Sequence, residues 1–247
     1  MKTNYNYKEF DAEGLQTLEA VAKADKFNCW MYETIKPFCQ GEILEVGSGI
    51  GNISIFFLEN GSRITVSDIR QNYREELTSK FSSYNNLEGV IDLDIVAENF
   101  ESKYEHLIGK YDTVFSLNVL EHIKDDLLAI KNYRSLLKKN GKLIILVPAQ
   151  KILYNSLDKE LYHYKRYNKN ELTNLYQKNN IKLIHSQYFN IVGMIGWFYT
   201  GTIRKKKIIV SSQMKLFNRF VGIFKFIDKV LINRTGLSVV VVGERPD

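Results

Sequence analysis

A glycine-rich stretch carries the clearest sign of chemistry in this 247-residue chain. It reads Glu45-Val-Gly-Ser-Gly-Ile-Gly51 and follows a short apolar segment, as expected where a strand turns into a helix. Glycine lets the backbone turn tightly and lets a ligand approach the main chain. The dinucleotide fingerprint is spaced G-x-G-x-x-G, whereas the spacing here is G-x-G-x-G and an acidic residue precedes it. Asp68 ends the next predicted strand, where a carboxylate can accept both hydroxyls of a ribose, so the pattern favours a nucleoside without phosphates.

The elements that position this loop are predicted from hydrophobic periodicity. Short apolar strands alternate with amphipathic helices, which is typical of a parallel sheet covered by helices on both faces. Strands are predicted at 43–46, 63–67, 89–94, 113–117, 142–147, 181–189 and 238–242, and helices at 11–38, 52–59, 73–81, 125–138 and 169–177. We expect a single α/β domain that consists of an N-terminal helical cap (1–40), a cofactor-binding core (41–190), a helical insertion (191–236) and a last strand (237–247).

Four motifs together resemble the class I S-adenosylmethionine-dependent methyltransferases, in the order and spacing of that family. They are the glycine loop, Val66-Ser-Asp68, Asp92-Leu-Asp-Ile95 and Ser116-Leu-Asn-Val-Leu-Glu-His-Ile123, and with the strand order they cover about residues 40–190. The resemblance implies a Rossmann-like fold, with a mostly parallel seven-stranded sheet, an antiparallel last strand, helices on both faces and a late helical insertion. It also implies S-adenosylmethionine as the cofactor and S-adenosylhomocysteine as its product.

The resemblance assigns cofactor-binding roles to a defined set of residues. These are Glu45, Gly47, Ser48, Gly49, Gly51, Asp68, Ile69, Asp94, Ile95, Asn118 and Val119. In the family pattern the loop lines the methionine and ribose side, Glu45 organises the methionine amino end, and Asp68 binds the ribose hydroxyls. Ile69, Asp94 and Ile95 face the adenine, while Asn118 borders the methionine. Asp92 competes with Asp94 for its role.

Histidine suits the removal of a proton from a hydroxyl acceptor at neutral pH. Of the four histidines, His106 and His185 read as structural, whereas His163 and His122 are the catalytic candidates. His163 lies in a segment that resembles the proline–alanine, Asp-x(4)-His-x-(Arg/Lys)-Arg-Tyr stretch of one bacterial branch of the family. The predicted acceptor-binding residues are Tyr164, Arg166 and Tyr167 in this segment, with Arg166 binding an anionic group, and Trp30 in the N-terminal segment. Two alternatives stay open: His163 pins this loop to the core, and His122 supports the cofactor pocket.

The net charge of +6 is concentrated in residues 204–234, where nine basic residues and one acidic residue give +8. The segment contains Lys205-Lys-Lys207 and then apolar residues at helical spacing from Leu216 to Leu231, with basic residues between them. Three interpretations stay open: a lid packed on the sheet, a helix on an anionic membrane surface, and a nucleic-acid surface. Nucleic acid is least favoured, because no zinc knuckle or RNA-recognition aromatic signature accompanies the lysines.

Cysteine usage and hydropathy indicate the compartment. Cys29 and Cys39 have no histidine nearby, so we expect reduced thiols, no metal site and a cytoplasmic protein. No apolar run approaches the roughly 20 residues of a spanning helix, so any membrane contact is expected to be peripheral. The first residues lack the apolar stretch of a signal peptide.

The sequence thus predicts methyl transfer to a hydroxyl or amine of a small-molecule, sugar or lipid-linked acceptor. The candidate base favours oxygen as the accepting atom. Two alternatives are kept: a methyltransferase acting on RNA or protein, and a cofactor-binding protein without turnover.

Overall fold

The strands form one seven-stranded sheet. The computed structural model describes residues 12–231 and 233–247. Its strands are β1 (Ile43–Val46), β2 (Ile64–Ser67), β3 (Leu87–Ile91), β4 (Tyr111–Leu117), β5 (Leu137–Pro148), β6 (Lys182–Phe189) and β7 (Ser238–Glu244). They lie in the order β3-β2-β1-β4-β5-β7-β6, with β7 antiparallel between β5 and β6 and the other neighbours parallel. The predicted Rossmann-like sheet with an antiparallel last strand is confirmed.

Helices cover both faces of this sheet. Within the described residues they are α1 (Ala12–Ala22), α2 (Asp25–Ile35), α3 (Ser54–Glu59), α4 (Gln71–Phe81), α5 (Phe100–Lys103), α6 (Asp126–Leu136), α7 (Ser156–Glu160), α8 (Lys169–Lys178), α9 (Ile191–Trp197), α10 (Ser211–Arg219) and α11 (Val221–Val230). Short 3-10 turns lie at Lys36–Phe38, Glu105–Leu107, Leu120–His122 and Lys151–Leu153, and a π-helical turn at Phe198–Ile203.

Two apolar layers hold the helices on the sheet, because side chains alternate between its faces along each strand. On β5, Leu143 and Ile145 face the layer formed with α5, α6 and α8. Ile144 and Leu146 face the opposite layer, which contains residues of α2, α3, α4 and α11. The strands between the two edges of the sheet, β1, β2, β4, β5 and β7, are therefore largely buried, whereas the edge strands β3 and β6 are partly exposed.

The helix predicted over 11–38 is two helices, separated at Lys23 and Ala24. The side-chain amide of Asn28 donates to the carbonyl of Val21 over 2.9 Å. The same carbonyl also accepts from the amide of Ala24 over 2.9 Å, so both of its partners lie beyond the end of α1. Hydrophobic periodicity carries no signal for these contacts at the break between the two helices. The first predicted residue of this helix, Asp11, lies outside the described residues.

Helix α6 ends at Leu136, two residues before the predicted end, and β5 begins at Leu137. Leu137 pairs with Tyr111 of β4. Asn140, predicted to follow the end of the helix, lies in β5 and donates its amide to the carbonyl of Arg245 over 2.8 Å. Pairing with a neighbouring strand therefore outweighs the helical periodicity at this junction.

The late insertion is helical, as predicted, and leaves the sheet between β6 and β7. Its two ends meet, because the amide of Leu237 donates to the carbonyl of Asn190 over 3.0 Å. The carboxylate of Asp228 on α11 accepts from the amides of Asn190 and Ile191. Since helix N-termini carry amides without partners, this carboxylate fixes α9 against α11.

The insertion also contacts the N-terminal helices. Asn218 on α10 accepts from the amide of Phe27 over 3.1 Å and donates to Asp25 over 2.6 Å. Lys225 on α11 forms an ion pair with Glu33 on α2. Within the described residues, no helix combines the length and hydropathy needed to cross a membrane.

Candidate active site

The glycine loop leaves β1 at the carboxyl edge of the sheet, where open α/β sheets bind ligands. Gly47 and Gly51 have φ angles of +78° and +77°, in the left-handed region that favours glycine. A Cβ at Gly47 would lie 2.4 Å from Cγ2 of Val119, and one at Gly51 would lie 2.5 Å from Cζ of Phe81. Only glycine therefore fits the loop at these two positions.

Asp68 lies at the end of β2, buried beside the loop. Its Oδ2 accepts from the amide of Gly49 over 3.1 Å, and its Oδ1 accepts from the amide of Arg70 over 2.9 Å. Burial raises the pKa of Asp68, and these two hydrogen bonds oppose that rise. An ionised carboxylate has about four lone-pair sites, so two remain for ligand hydroxyls.

Glu45 on β1 is also buried, and one carboxylate oxygen accepts from the hydroxyl of Ser54. Burial raises the pKa of Glu45 to about 7, although hydrogen bonds with Ser54 and Ser48 oppose the rise. A buried carboxylate without a cationic partner is costly. A ligand with an ammonium group beside Glu45 would remove that cost, as the amino end of S-adenosylmethionine can.

These groups open on one cavity of about 1080 Å³. Sites for single small ligands are usually about 300–1,000 Å³, so this volume accommodates a cofactor together with an acceptor. Helix α1 contributes Leu18 to the wall, and the insertion contributes Trp197 and Phe217. The predicted site residues that line the cavity are Glu45, Gly47, Ser48, Gly49, Asp68, Ile69, Asp94, Ile95, Asn118, Val119, His122, His163, Tyr164 and Arg166.

Three predicted contact residues, Trp30, Tyr167 and Gly51, do not line that cavity. Trp30 packs against Phe189 with ring centroids 4.3 Å apart, because the inner face of α2 is drawn into the apolar layer. Tyr167 is fully buried, and its hydroxyl donates to Asp126 over 3.0 Å. Gly51 turns the loop against α4 and away from the cavity.

Two acidic residues line the part of the cavity beyond β3. Asp94 is held by two hydrogen bonds: its Oδ1 accepts from the amide of Val96 over 3.0 Å, and its own amide donates to the hydroxyl of Tyr104 over 2.9 Å. Asp92 is exposed and pairs with Arg74 over 3.4 Å. Both line the cavity, and Asp94 is the more firmly placed of the two.

Asp158 organises the wall on the acceptor side. Its Oδ1 accepts from Nε of Arg166 over 2.8 Å and lies 2.9 Å from Nδ1 of His163. Its Oδ2 accepts from the indole Nε1 of Trp197 over 3.2 Å and from the amide of Asn155 over 3.0 Å. Burial alone would raise the pKa of Asp158, but His163 and Arg166 lower it overall. One carboxylate thus joins α7, the segment after it and the insertion.

The contact with Asp158 determines which nitrogen of His163 is available. A neutral imidazole that donates from Nδ1 keeps Nε2 unprotonated, and Nε2 lies 3.9 Å from Oε1 of Glu121. Burial lowers the pKa of His163, with Asp158 opposing, so the neutral ring dominates at pH 7. The available nitrogen is therefore a proton acceptor beside the cavity.

Glu121 is fully buried, and neither of its carboxylate oxygens has a hydrogen-bond partner among the described residues. Burial raises its pKa to about 8, and the nearby Arg166 opposes the rise. The ring of His122 lies 4.7 Å from that of His163. One possible metal-binding atom from each of Glu121, His122 and His163 lies within 4.8 Å of the other two. Among the described residues, these three could therefore hold a metal ion together.

Arg166 makes more contacts within the protein than the sequence predicts. Besides its bond to Asp158, its Nη1 donates to the carbonyl of Ala149 over 2.8 Å, and its guanidinium stacks 4.7 Å from the ring of Trp197. Its Nη2 has no hydrogen-bond partner among residues 12–231 and 233–247. This nitrogen is thus left for an anionic ligand group.

Sequence reasoning missed two residues that shape the acceptor side, Glu121 and Asp158. Both stand inside motifs that the sequence displays, since Glu121 precedes His122 and Asp158 precedes His163 by five positions. That spacing was a usable signal for Asp158, because a carboxylate that orients a histidine must lie close to it. Nothing in the sequence shows that Glu121 lacks a partner.

The parallel sheet, the glycine loop and the two buried carboxylates define a protein that binds a nucleoside carrying an amino-acid arm. The chain belongs to the methyltransferase-domain family, whose model matches residues 12–188. The predicted family of S-adenosylmethionine-dependent methyltransferases, the fold and the cofactor are thereby confirmed.

Similar curated proteins match part of this chain. A ubiquinone biosynthesis O-methyltransferase of Xanthomonas euvesicatoria pv. vesicatoria is 31% identical over 103 residues, which are 42% of this chain and 41% of that protein. A highly reducing polyketide synthase of Aspergillus sclerotiorum is 30% identical over 116 residues, 42% of this chain and 4% of that protein. The chain thus spans less than half the length of these relatives.

Among solved structures, phosphoethanolamine N-methyltransferase 2 of Haemonchus contortus in complex with S-adenosyl-L-methionine superimposes with a TM-score of 0.60. It is 15% identical, and the match covers 92% of this chain and 57% of that one. At this identity the likeness is one of fold.

Proposed function

We propose that this protein transfers the methyl group of S-adenosylmethionine to a hydroxyl of a small-molecule, sugar or lipid-linked acceptor. One observation carries the proposal: a single cavity contains the cofactor loop and a histidine whose Nδ1 is held by the buried carboxylate of Asp158. The Xanthomonas relative, named as an O-methyltransferase, supports oxygen as the accepting atom.

The cofactor half works by positioning. When bound, S-adenosylmethionine supplies a methyl group already activated on a sulfonium, so proximity and orientation are the main requirements. Asp68 holds the ribose hydroxyls, Glu45 holds the amino end, and the glycine loop lines the path between them. Ile69, Asp94 and Ile95 border the adenine, and Asn118 and Val119 border the methionine.

On the acceptor half, His163 accepts the proton of the attacking hydroxyl at Nε2. Bound S-adenosylmethionine would supply the methyl carbon to this oxygen, and its sulfur would keep the electrons of the broken carbon–sulfur bond as a neutral thioether. Asp158 keeps the imidazole in the required tautomer and stabilises its charge once it is protonated. General-base assistance of this kind contributes about 10²–10⁴-fold to rate.

Neighbouring residues place the acceptor. Tyr164 is partly exposed in the cavity wall and provides an aromatic surface, while Nη2 of Arg166 is available to an anionic substituent. His122 supports the ring of His163 from the side.

The thiols of Cys29 and Cys39 are free, which supports a cytoplasmic location.

The deciding experiment is transfer of labelled methyl from S-adenosylmethionine into a host extract that is then separated into lipid, small-molecule, protein and nucleic-acid fractions. We expect label in the lipid or small-molecule fraction, and at least a tenfold loss with Asp68→Ala, because a ligand-bearing buried carboxylate is removed (roughly 1.5–3 kcal/mol). Parallel reactions with and without a chelator report whether a metal ion at Glu121, His122 and His163 assists.

Label in protein or RNA would overturn the acceptor class and favour the alternative macromolecular methyltransferase. Label on nitrogen within a small molecule would replace the hydroxyl with an amine. Cofactor binding without label in any fraction would favour a binding protein without turnover.

A further inference from the structure

Helices α10 and α11 expose an apolar stripe. Phe220 alone separates them: it caps the end of α10, and its carbonyl accepts from the amides of Ile223 and Phe224 over 3.0 and 3.1 Å at the start of α11. The exposed fractions along the stripe are 62% for Leu216, 40% for Phe220, 57% for Ile223, 66% for Phe226 and 59% for Val230. Spacings of three and four residues place Ile223, Phe226 and Val230 on one face of α11, and Phe220 and Leu216 precede Ile223 by three and seven residues.

Basic side chains border the stripe on one flank. Lys215, Arg219 and Lys229 are exposed, and each immediately precedes a stripe residue. A second basic group, Arg204 to Lys207, is exposed on the same insertion and ends before α10 begins. The acidic residue of α11, Asp228, is buried at the N-terminus of α9 and adds no negative charge to this surface.

The opposite face of the same helices is part of the protein. Met214 and Phe217 on α10 line the cavity, and Phe217 also packs edge-on against Phe27 with centroids 5.5 Å apart. Val221 and Phe224 on α11 join the apolar layer over the sheet. The two helices thus have one face folded onto the protein and a second apolar face that no described residue covers.

We propose that the exposed face of α10 and α11 binds the surface of an anionic membrane, with the helices lying in its plane. The stripe has the apolar and aromatic residues that enter the boundary between headgroups and acyl chains, and the flanking cations match anionic headgroups. A helix is about 10–12 Å across with its side chains, so the cavity lies within one helix diameter of the bound surface. Any link between this membrane contact and a lipid-linked acceptor rests on the proposed function, whereas the membrane contact itself does not.

The chemistry of the stripe favours a bilayer over other anionic partners. A nucleic acid offers phosphates to the lysines but no apolar layer in which Leu216, Ile223 and Phe226 can be buried. A folded protein can bury apolar side chains, but it has no general reason to present negative charge along the flank. A bilayer with anionic lipids supplies both at once.

The test is sedimentation of the purified full chain with vesicles of phosphatidylglycerol and phosphatidylcholine, compared with vesicles of phosphatidylcholine alone. We expect binding to the anionic vesicles that weakens as salt is added. The double variant Ile223→Asp/Phe226→Asp should bind at least about tenfold more weakly, since two apolar anchors become charged. Replacing Lys215, Arg219 and Lys229 by Glu should remove the preference for anionic vesicles.

Leu127→Asp is the matched control, because Leu127 is also an exposed aliphatic residue but lies on α6, over the opposite face of the sheet. It should bind vesicles as the wild type does. Titration with S-adenosylhomocysteine shows that each variant is folded, since the stripe residues take no part in the cofactor site.

Failure of the wild type to bind anionic vesicles, or equal binding by the double variant, would overturn the proposal. The proposal would also be overturned if the wild type were a dimer, the double variant were a monomer, and neither of them bound vesicles. Because sedimentation needs no turnover, vesicle binding without methyl transfer would defeat the proposed function alone, and methyl transfer without vesicle binding would defeat this proposal alone.

Discussion

At the scale of single residues, Glu45 links cofactor binding to pH. Its carboxylate is buried with a serine hydroxyl as partner, and burial raises its pKa to about 7. The ionised form is the one that attracts a ligand ammonium group. Ligand binding should therefore strengthen as the pH rises through 7 and weaken as it falls below 7.

We expect the dissociation constant for S-adenosylhomocysteine to rise about fivefold between pH 7 and pH 6, because the ionised fraction of a group with a pKa near 7 falls by that factor. Glu45→Gln should bind more weakly at pH 7 and show no such dependence. Isothermal titration calorimetry measures both. Glu42→Gln is the control: Glu42 pairs with Arg63 at the surface, and its variant should keep the wild-type pH dependence. A pH-independent wild type would contradict the assignment.

His163 is the second residue with a measurable consequence. His163→Ala should reduce kcat by about 10²–10⁴-fold while leaving the affinity for S-adenosylhomocysteine unchanged. In the wild type, burial favours the neutral ring that accepts the proton. The kcat at saturating cofactor should therefore persist as the pH falls, and should decline only below the ordinary histidine pKa of about 6.5.

The control is His185→Ala, since His185 lies on β6, stacks on Phe38 and is absent from the cavity wall. It should retain the wild-type kcat and pH profile. Steady-state rates with the acceptor identified by labelling provide the measurement. Undiminished turnover of His163→Ala at saturating acceptor would leave His163 a structural role only.

That the glycine loop and the strand ends line one cavity was predictable, because each motif is contiguous and stands at a strand end, as Asp68 does. The acceptor side was predictable only in part. Aromatic residues serve equally as cavity walls and as core, so the sequence could not separate Tyr164, which lines the cavity, from Tyr167, which is fully buried. The unpartnered state of Glu121 arises from tertiary packing and has no local signature.

At the scale of elements, the turn from β1 into α3 depends on Gly51 contacting α4. Gly51→Ala should lower the free energy of unfolding by about 2–4 kcal/mol, since it adds a positive-φ cost of about 1–2 kcal/mol to overpacking against Phe81 and Leu77. Gly61→Ala isolates the first effect: Gly61 has a φ of +73°, but a Cβ there would meet nothing within 4 Å. Urea unfolding of both variants should show the larger loss for Gly51. Equal losses of unfolding free energy would mean that Phe81 and Leu77 of α4 accommodate the added methyl group at no cost.

The alternation of strands and helices was readable in the sequence because parallel strands are apolar throughout and helices have a 3.6-residue period. Junctions were less readable. Leu137 fits the periodicity of α6 equally well, and only its pairing with Tyr111 on β4 assigns it to a strand. At the break after α1, the carbonyl of Val21 accepts from the amide of Ala24 and from the side chain of Asn28 in the next helix, contacts that periodicity does not report.

At the scale of the whole molecule, the cavity is closed by parts that lie far apart in the chain. Helix α1 and the insertion both contribute to the wall around the loop, and Asn218 joins the insertion to Phe27. The sequence indicated which segments lie outside the core, but not that they meet over the same cavity. That meeting depends on side-chain hydrogen bonds between residues about 190 positions apart.

The insertion begins and ends at one point of the sheet, where Phe189 of β6 pairs with Ser238 of β7 and Asn190 bonds Leu237. Closing a chain excursion between fixed ends costs only slightly more free energy as the excursion lengthens, roughly 0.6 kcal/mol per doubling. A segment of another length between these two ends therefore changes the closure cost only slightly, provided that it still covers the apolar layer of the sheet. We expect exchange of this one contiguous stretch of coding sequence to alter the part of the cavity wall that Trp197 and Phe217 form, while the glycine loop is inherited unchanged.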